Sequence, residues 1–140
     1  MTVMAEAGTQ QYKQRLTARP KALAGIRRIL AAHLRLWGCE EMAAPAALCT
    51  TELLSNVVRH AGSPDCVLSL QTNAVAVRIT VSDASNTLPV VKQPDWRNQN
   101  GRGMALLSAT ADAWGAYPTE SGKDVWFEIR SHATAEEAAA

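Results

Sequence analysis

The sequence predicts an α+β protein, a two-layer α/β sandwich in which helices cover one face of a mostly antiparallel mixed sheet. Three observations lead to this fold class. Two runs carry apolar residues at helical spacing, and two pairs of β-patterned runs are each joined by a short polar turn. The order of the predicted elements, β-α-α-β-β-loop-α-β-β, lacks the β-α-β-α alternation that a parallel doubly wound sheet requires.

The first half of the chain predicts an edge strand and two helices. Residues 12–18 form the strand, and Pro20 then opens a helix, because proline has no N–H to leave unsatisfied in the first turn. Apolar residues keep a helical period up to Gly38, and glycine commonly ends helices. The second helix opens at Pro45 and runs to His60, where a Gly-Ser-Pro turn stops it.

The second half predicts two antiparallel hairpins with a loop and a short helix between them. In chain order the predicted elements are strands 66–70 and 75–81, a polar loop over 82–101, a helix over 104–112, and strands 114–117 and 125–129. A polar loop of this length is more often functional or mobile than inert. We expect Trp126 to be a core residue of the last strand and Lys123, at the tip of the second hairpin, to be solvated.

The composition is that of an ordinary globular protein. Of 140 residues, 47% are hydrophobic and 19% are charged, which predicts one domain over residues 12–130 between a flexible N-terminus, 1–11, and a flexible tail, 131–140. The net charge of +1 gives no reason to expect nucleic acid or a membrane surface as a partner. No apolar run is long enough to span a membrane, and we expect no signal peptide.

The three cysteines, Cys39, Cys49 and Cys66, predict neither a disulfide framework nor a zinc site. Their number is odd, and no C-x-x-C pair occurs. Reduced thiols fit the cytoplasm best, so the sequence predicts a cytoplasmic location.

The first cluster of chemical interest lies in the second helix, where Glu52, Asn56 and Arg59 follow one another on one side, beside the apolar stripe. Carboxylate and amide oxygens are hard ligands that suit Mg²⁺, and a guanidinium matches the geometry of phosphate. A partly exposed helix face would show the same residue types. This cluster alone therefore leaves both interpretations open.

Two further clusters lie at the ends of predicted elements. Asp83 leaves an apolar strand ahead of Ser85, and its carboxylate can accept a hydrogen bond from an exocyclic amine such as that of adenine, or simply start a turn. Gly101, Arg102 and Gly103 precede the third helix, where glycines let a ligand approach the backbone and helix N–H groups favour an anion. This glycine pattern is not a Walker motif, because no G-K-[ST] is present.

Taken together and in this order, the clusters resemble a known family. The phrase TELLSNVVRHA resembles its N box, VSDAS its first glycine-box region, NGRGMALLSATADAWG its second, and KDVWFEI its closing strand. The sequence is similar to the Bergerat-fold ATP-binding superfamily of DNA gyrase, MutL and histidine kinases. Within that superfamily it most resembles the small anti-sigma-factor serine kinases, over residues 16–129.

The resemblance implies a role for each matched residue. The ligands would be ATP and Mg²⁺, with Asn56 as the metal ligand, Glu52 as the catalytic base and Asp83 as the acceptor for the adenine amine. The other residues implied to contact the nucleotide are Arg59, His60, Ser85, Gly101, Arg102, Gly103 and Met104. Residues 82–100 would form a lid over ATP.

The resemblance also implies a partner and leaves three functions in competition. A protein serine/threonine kinase of this type would phosphorylate an anti-anti-sigma-type protein, with a sigma factor as the alternative client, and could form a homodimer. A nucleotide-binding module that sequesters its partner is the second function, and a histidine-kinase catalytic domain is the third. Two departures favour the module: no further glycine follows Asp83 where the family continues with glycines, and Asp124 stands where many relatives place an adenine-side threonine.

Overall fold

The computed structural model describes residues 10–73, 75–85 and 103–131, which fold as two layers. In chain order the elements are β1 (Gln10–Thr17), α1 (Leu23–Leu36), α2 (Ala43–His60), β2 (Asp65–Thr72), β3 (Ala76–Asp83), α3 (Gly103–Thr110), β4 (Ala113–Pro118) and β5 (Lys123–Arg130). Short 3₁₀ turns, Pro20–Ala22 and Glu40–Met42, precede α1 and α2. This is the order that the sequence predicts, and the α+β fold class is confirmed.

The sheet has the strand order β1-β2-β3-β5-β4, and all four pairings between the described strands are antiparallel. The prediction that the sheet is mostly antiparallel therefore holds, but the predicted mixed character does not appear among the described strands, since none of them pairs in parallel. β5 pairs with β4, its hairpin partner, and also with β3. The pairing of β3 with β5 joins the two predicted hairpins into one sheet and sets Asp83 opposite Lys123.

The helices cover the face of the sheet that carries alternate residues of the central strands. On β3 these are Val77, Ile79 and Val81, all buried, because successive strand residues point to opposite faces. The largest fully buried apolar side chains are Phe127, Leu30, Leu34, Leu54, Leu68, Leu70, Ile79, Leu107, Val57, Val77 and Val81. Each such burial contributes about 1.5–3 kcal/mol, so the layer interface is the main source of stability. No helix among the described residues is both long and apolar enough to cross a membrane.

Glycine ends the first helix, as predicted. Gly38 has a φ of 77°, in the left-handed region that glycine adopts without steric cost, and the next residue, Cys39, donates its N–H to the Leu34 carbonyl at 2.7 Å. The predicted start of the second helix is displaced. α2 begins at Ala43 rather than at Pro45, since proline is tolerated throughout the first turn, where helix N–H groups have no partner within the helix.

The other face of the sheet carries a polar and aromatic cluster. The guanidinium carbon of Arg78 lies 4.0 Å from the centroid of the Trp126 ring, and its Nη2 lies 2.8 Å from the Glu128 carboxylate. The prediction that Trp126 is a core residue is therefore wrong. Its position in β5 alternates with the buried Val125 and Phe127, so its ring points away from the helices and packs against a cation.

Thr50, on the core face of α2, carries the buried side-chain oxygen without a hydrogen bond among the described residues. An unsatisfied buried polar group costs about 1–3 kcal/mol. We predict that Thr50→Val raises the free energy of unfolding by about 1 kcal/mol in urea titrations. Thr51→Val is the control and should bring no gain, because Thr51 Oγ1 donates to the Ala47 carbonyl at 2.8 Å. Lower stability of Thr50→Val than of the wild type would contradict the prediction.

Candidate functional site

Two of the predicted clusters lie at the same end of the sandwich. α2 ends at His60, and a short turn leads to Asp65 at the start of β2. β3 runs antiparallel to β2 and ends beside that start, with Ser82 paired to Val67. The ends of α2 and β3 are therefore at one end of the molecule, and Asp83 lies there on the face that the helices cover.

Asn56 links α2 to the start of α3. Its Nδ2 donates to the Met104 Sδ atom at 3.0 Å, and its Oδ1 accepts a hydrogen bond from Arg59 Nη2 at 3.2 Å. Gly103 is the first residue of α3, so the structure brings the predicted asparagine to the helix that the glycine motif opens. The same helix is anchored in the core, because Leu107 is fully buried.

The remaining predicted residues of α2 lie on either side of Asn56. Glu52 is half-buried one turn earlier, and its charge adds to the larger effect of burial in raising the pKa of the Cys49 thiol to about 11. His60 is the last residue of the helix and is exposed. The carboxylate thus shares a partly enclosed helix face with the amide, whereas the imidazole faces solvent.

Asp83 is the centre of a buried ion pair. Its Oδ2 lies 3.0 Å and its Oδ1 3.1 Å from the Lys123 Nζ atom, and only 3% of the Asp83 side chain and 6% of the Lys123 side chain are exposed. Oδ1 also accepts the backbone N–H of Ser85 at 2.8 Å, a bond typical of a turn that an aspartate starts. Asp83 therefore starts the turn after β3 and also holds a buried charge on the helix-covered face.

The position of Lys123 contradicts the prediction that it is solvated at a hairpin tip. It is the first residue of β5, lies opposite Asp83 and is 5% exposed. Asp124 pairs with Ser82 and so faces the open side of the sheet, where it accepts a hydrogen bond from the Tyr117 hydroxyl at 3.1 Å. Lys123, and not Asp124, is therefore the neighbour of Asp83 on β5.

Sequence reasoning missed Lys123, although the strand pattern contains a signal for it. Lys123 has the same phase as Val125, Phe127 and Ile129, which are all buried. In a strand this phase places the ammonium on the core face, and a charge there requires a partner. The partner could not be named from the pattern, because it comes from another strand.

Gly122 allows the chain to close around this ion pair. A Cβ atom at this position would overlap the Asp83 carbonyl oxygen and lie 2.7 Å from the Ala84 Cα atom. Only a residue without a side chain lets the backbone before β5 approach the end of β3 so closely. Gly122 therefore sets the backbone spacing, and Lys123 supplies the charge.

The charge of Asp83 affects the pKa of a second buried thiol, that of Cys66. Burial raises the pKa of Cys66 to about 11, and the carboxylates of Asp83 and Asp65 add smaller effects in the same direction. Glu52 and Asp83, the two predicted carboxylates, thus each influence a buried cysteine that stays protonated at neutral pH. All three cysteines are free, as predicted.

Gly101, Arg102 and residues 86–100 of the predicted lid lie outside the described residues. Within the described part of the chain, no group of three or more His, Cys, Asp or Glu side chains is placed to hold a metal ion. The Asn56 amide oxygen lies near the start of α3, and the Glu52 carboxylate lies one turn earlier on the same helix. Mg²⁺ commonly takes only one or two protein oxygens and completes its shell with phosphate and water, so this donor set suits it.

The antiparallel sheet covered by helices on one face, Asn56 beside the start of α3 and the buried Asp83 at a strand end fit the Bergerat type of ATP-binding domain that the sequence resembles. Residues 16–129 match the histidine kinase-like ATPase domain family, and the chain belongs to that family. The matched range is the one over which the sequence resemblance extends. No curated protein matches the sequence.

A solved structure supports the same fold. The chain is similar to the RsbU and RsbW domains of Rv1364c from Mycobacterium tuberculosis, with a TM-score of 0.64 and 19% sequence identity. The match covers 86% of this chain and 32% of that chain, so this protein spans about a third of the length of that structure. At this identity the likeness concerns the fold.

We predict that Gly122→Ala destabilises the protein by about 1–3 kcal/mol or more, because the added methyl group would overlap the backbone at Asp83 and Ala84. Urea unfolding measures the change. Gly25→Ala is the control, since its Cβ would meet the Arg28 guanidinium at 3.8 Å, an ordinary contact, and alanine favours a helix interior. A Gly122→Ala protein as stable as the wild type would contradict the close approach.

We predict that Cys49 and Cys66 make stability decrease as the pH rises from about 9 to about 11. Folding raises the pKa of both thiols from 9.0 to about 11, so the folded protein keeps protons that the unfolded chain releases. This contribution is complete below the unfolded pKa and is lost as the pH passes the folded pKa. Urea titrations at about pH 8 and about pH 11 should show a smaller loss in the Cys49→Ala/Cys66→Ala double variant than in the wild type. Equal losses would contradict the prediction.

Proposed function

We propose that this protein is an ATP- and Mg²⁺-binding regulator of the anti-sigma-factor type that phosphorylates a serine or threonine of a protein partner. The observation that carries the proposal is the Asn56 amide held against Met104 at the start of α3, with Glu52 one turn away on the same helix. Membership of an ATPase domain family supports a nucleotide as the ligand. The resemblance to anti-sigma-factor serine kinases and the fold similarity to a structure with an RsbW domain support the class of partner, an anti-anti-sigma-type protein or a sigma factor.

The metal would be held by the Asn56 side chain. The hydrogen bond from Nδ2 to Met104 orients the amide, so that Oδ1 faces Arg59 and accepts its hydrogen bond. Arg59 is exposed, so its guanidinium can move off the amide oxygen and pair with a phosphate, whose geometry it matches. When bound, Mg²⁺ would neutralise charge on the phosphates.

The residues of the chain would act mainly through position and charge, as is general in phosphoryl transfer. Glu52 would orient the attacking hydroxyl and accept its proton. Arg59 and the N–H groups at the start of α3 would offset the charge of the phosphates, and Gly101 and Arg102 are proposed as further nucleotide contacts. Asp83 would accept a hydrogen bond from the adenine amine. The further proposed nucleotide contacts are His60, Ser85, Gly103 and Met104.

A nucleotide-binding module that sequesters its partner without phosphorylating it is the second candidate. The observation that favours it is that both key polar groups already have partners within the protein: Asp83 bonds to Lys123, and Asn56 bonds to Arg59. A nucleotide has to share or replace these bonds, which lowers its net gain on binding. A homodimer and a cytoplasmic location belong to both candidates and stay predictions.

Transfer from labelled ATP separates the two candidates. We predict that the protein with Mg²⁺, ATP and an anti-anti-sigma-type protein yields a labelled partner, and that Glu52→Gln abolishes the label while ATP binding by calorimetry is kept. Glu120→Gln is the matched control, because Glu120 is exposed in the turn before β5 and should leave transfer unchanged. Binding of ATP without any label would favour the sequestering module, and no heat of binding with ATP and Mg²⁺ would refute both.

A further inference from the structure

The ion pair of Asp83 and Lys123 has unused hydrogen-bonding capacity. Oδ1 of Asp83 accepts from Ser85 and from Lys123, whereas Oδ2 lies 3.0 Å from the Lys123 Nζ atom and has this ion-pair contact alone among the described residues. An ionised carboxylate offers about four acceptor sites and an ammonium three donors. Among the described residues, at least one acceptor site on Oδ2 and one N–H of the ammonium therefore have no partner.

This leftover pair lies where the proposed ligand would meet the sheet. Both side chains point to the helix-covered face at the end of β3, and they are almost completely buried. A buried donor or acceptor without a hydrogen-bond partner raises the free energy of the folded protein, because little water is present there to bond with it. A ligand with a donor next to an acceptor would fill both sites at once.

We infer that Lys123 determines base specificity, donating a hydrogen bond to the ring nitrogen that flanks the exocyclic amine bound by Asp83. The inference rests on the proposed function, in which Asp83 accepts from the adenine amine. In adenine that amine lies between two ring nitrogens with lone pairs, N1 and N7. A charged donor makes a stronger hydrogen bond than a neutral one, so Lys123 would contribute strongly to base recognition.

The backbone holds Lys123 in place for this role. Its register opposite Asp83 is set by the β3–β5 pairing, and Gly122 brings the two backbones close together. Asp124, the next residue, faces the open side of the sheet and bonds to Tyr117, so it cannot take the same position. A lysine that only neutralised Asp83 would stabilise the fold but would not distinguish one ring atom of the base from another.

Nucleotide analogues test the inference on the whole protein by calorimetry with Mg²⁺. We compare ATP with 1-deaza-ATP and 7-deaza-ATP, each of which replaces one flanking nitrogen by C–H, and with 3-deaza-ATP, whose missing nitrogen does not flank the amine. The wild type should bind one of the first two about tenfold or more weakly than ATP, and 3-deaza-ATP about as well as ATP. Which flanking analogue is weakened identifies the base edge that is read.

Substitutions then tie the effect to Lys123. The quantity compared is the ratio of the affinity for ATP to the affinity for the sensitive analogue. This ratio should fall to about one in Lys123→Met. In Lys123→Gln, which keeps a neutral donor, the ratio should lie between those of Lys123→Met and the wild type. Lys13→Met is the matched control, because Lys13 is exposed on β1 and lies in register with Ser69 on the opposite face of the sheet. It should keep the wild-type preference.

The outcomes separate this inference from the proposed function. Equal binding of ATP and both flanking analogues by the wild type, or an unchanged preference in Lys123→Gln or Lys123→Met, would overturn the role of Lys123 and leave ATP binding in place. If Lys123→Met leaves Asp83 unpaired and does not fold, the wild type and Lys123→Gln decide the question. A wild type that binds none of the nucleotides would refute the proposed function, and the role of Lys123 in base recognition with it.

Discussion

The buried contact between Asp83 and Lys123 constrains the end of the sheet around which the site is built. Two opposite charges are almost completely removed from water, and either one without its partner would cost about 3–5 kcal/mol. Three features bring the two charges within 3.0 Å of each other: the β3–β5 register, the alternation that turns Lys123 toward the helices, and Gly122 before β5. Loss of any one of them would separate the charges. A ligand that binds Asp83 meets this ion pair and not a free carboxylate.

The other half of the candidate site depends on α2, which contributes residues both to the core and to the candidate site. Leu53, Leu54 and Val57 are buried in the layer interface, and the adjoining row carries Glu52 and, one turn later, Asn56, which contacts α3 at Met104. Placing functional groups on a packed helix holds them more rigidly than placing them on a loop. The same arrangement makes the core and the site interdependent, because a change in α2 packing would move the amide relative to α3.

Much of the fold could be predicted because the helical and strand periods are local properties of the chain. The order of elements, the end of α1 just before Gly38 and the place of Asp83 at a strand end all follow from such patterns. Trp126 and Lys123 were placed wrongly for a single reason. In a strand whose buried residues alternate with exposed ones, the residue type alone does not show which face a side chain is on. A hydrophobic Trp was therefore expected in the core and a polar Lys in solvent, whereas the structure has them on the opposite faces.

The sequence by itself determined the elements, the fold class, the family motifs and the cluster Glu52, Asn56 and Arg59 on one helix side, because these depend on spacings of a few residues. Only the tertiary structure decided that Asn56 contacts Met104 and that Asp83 is bound by Lys123. Both contacts join segments far apart in the chain, and the β3–β5 register sets the second one. A shift of that register by one residue would set Asp124 beside Asp83, and no local pattern excludes such a shift.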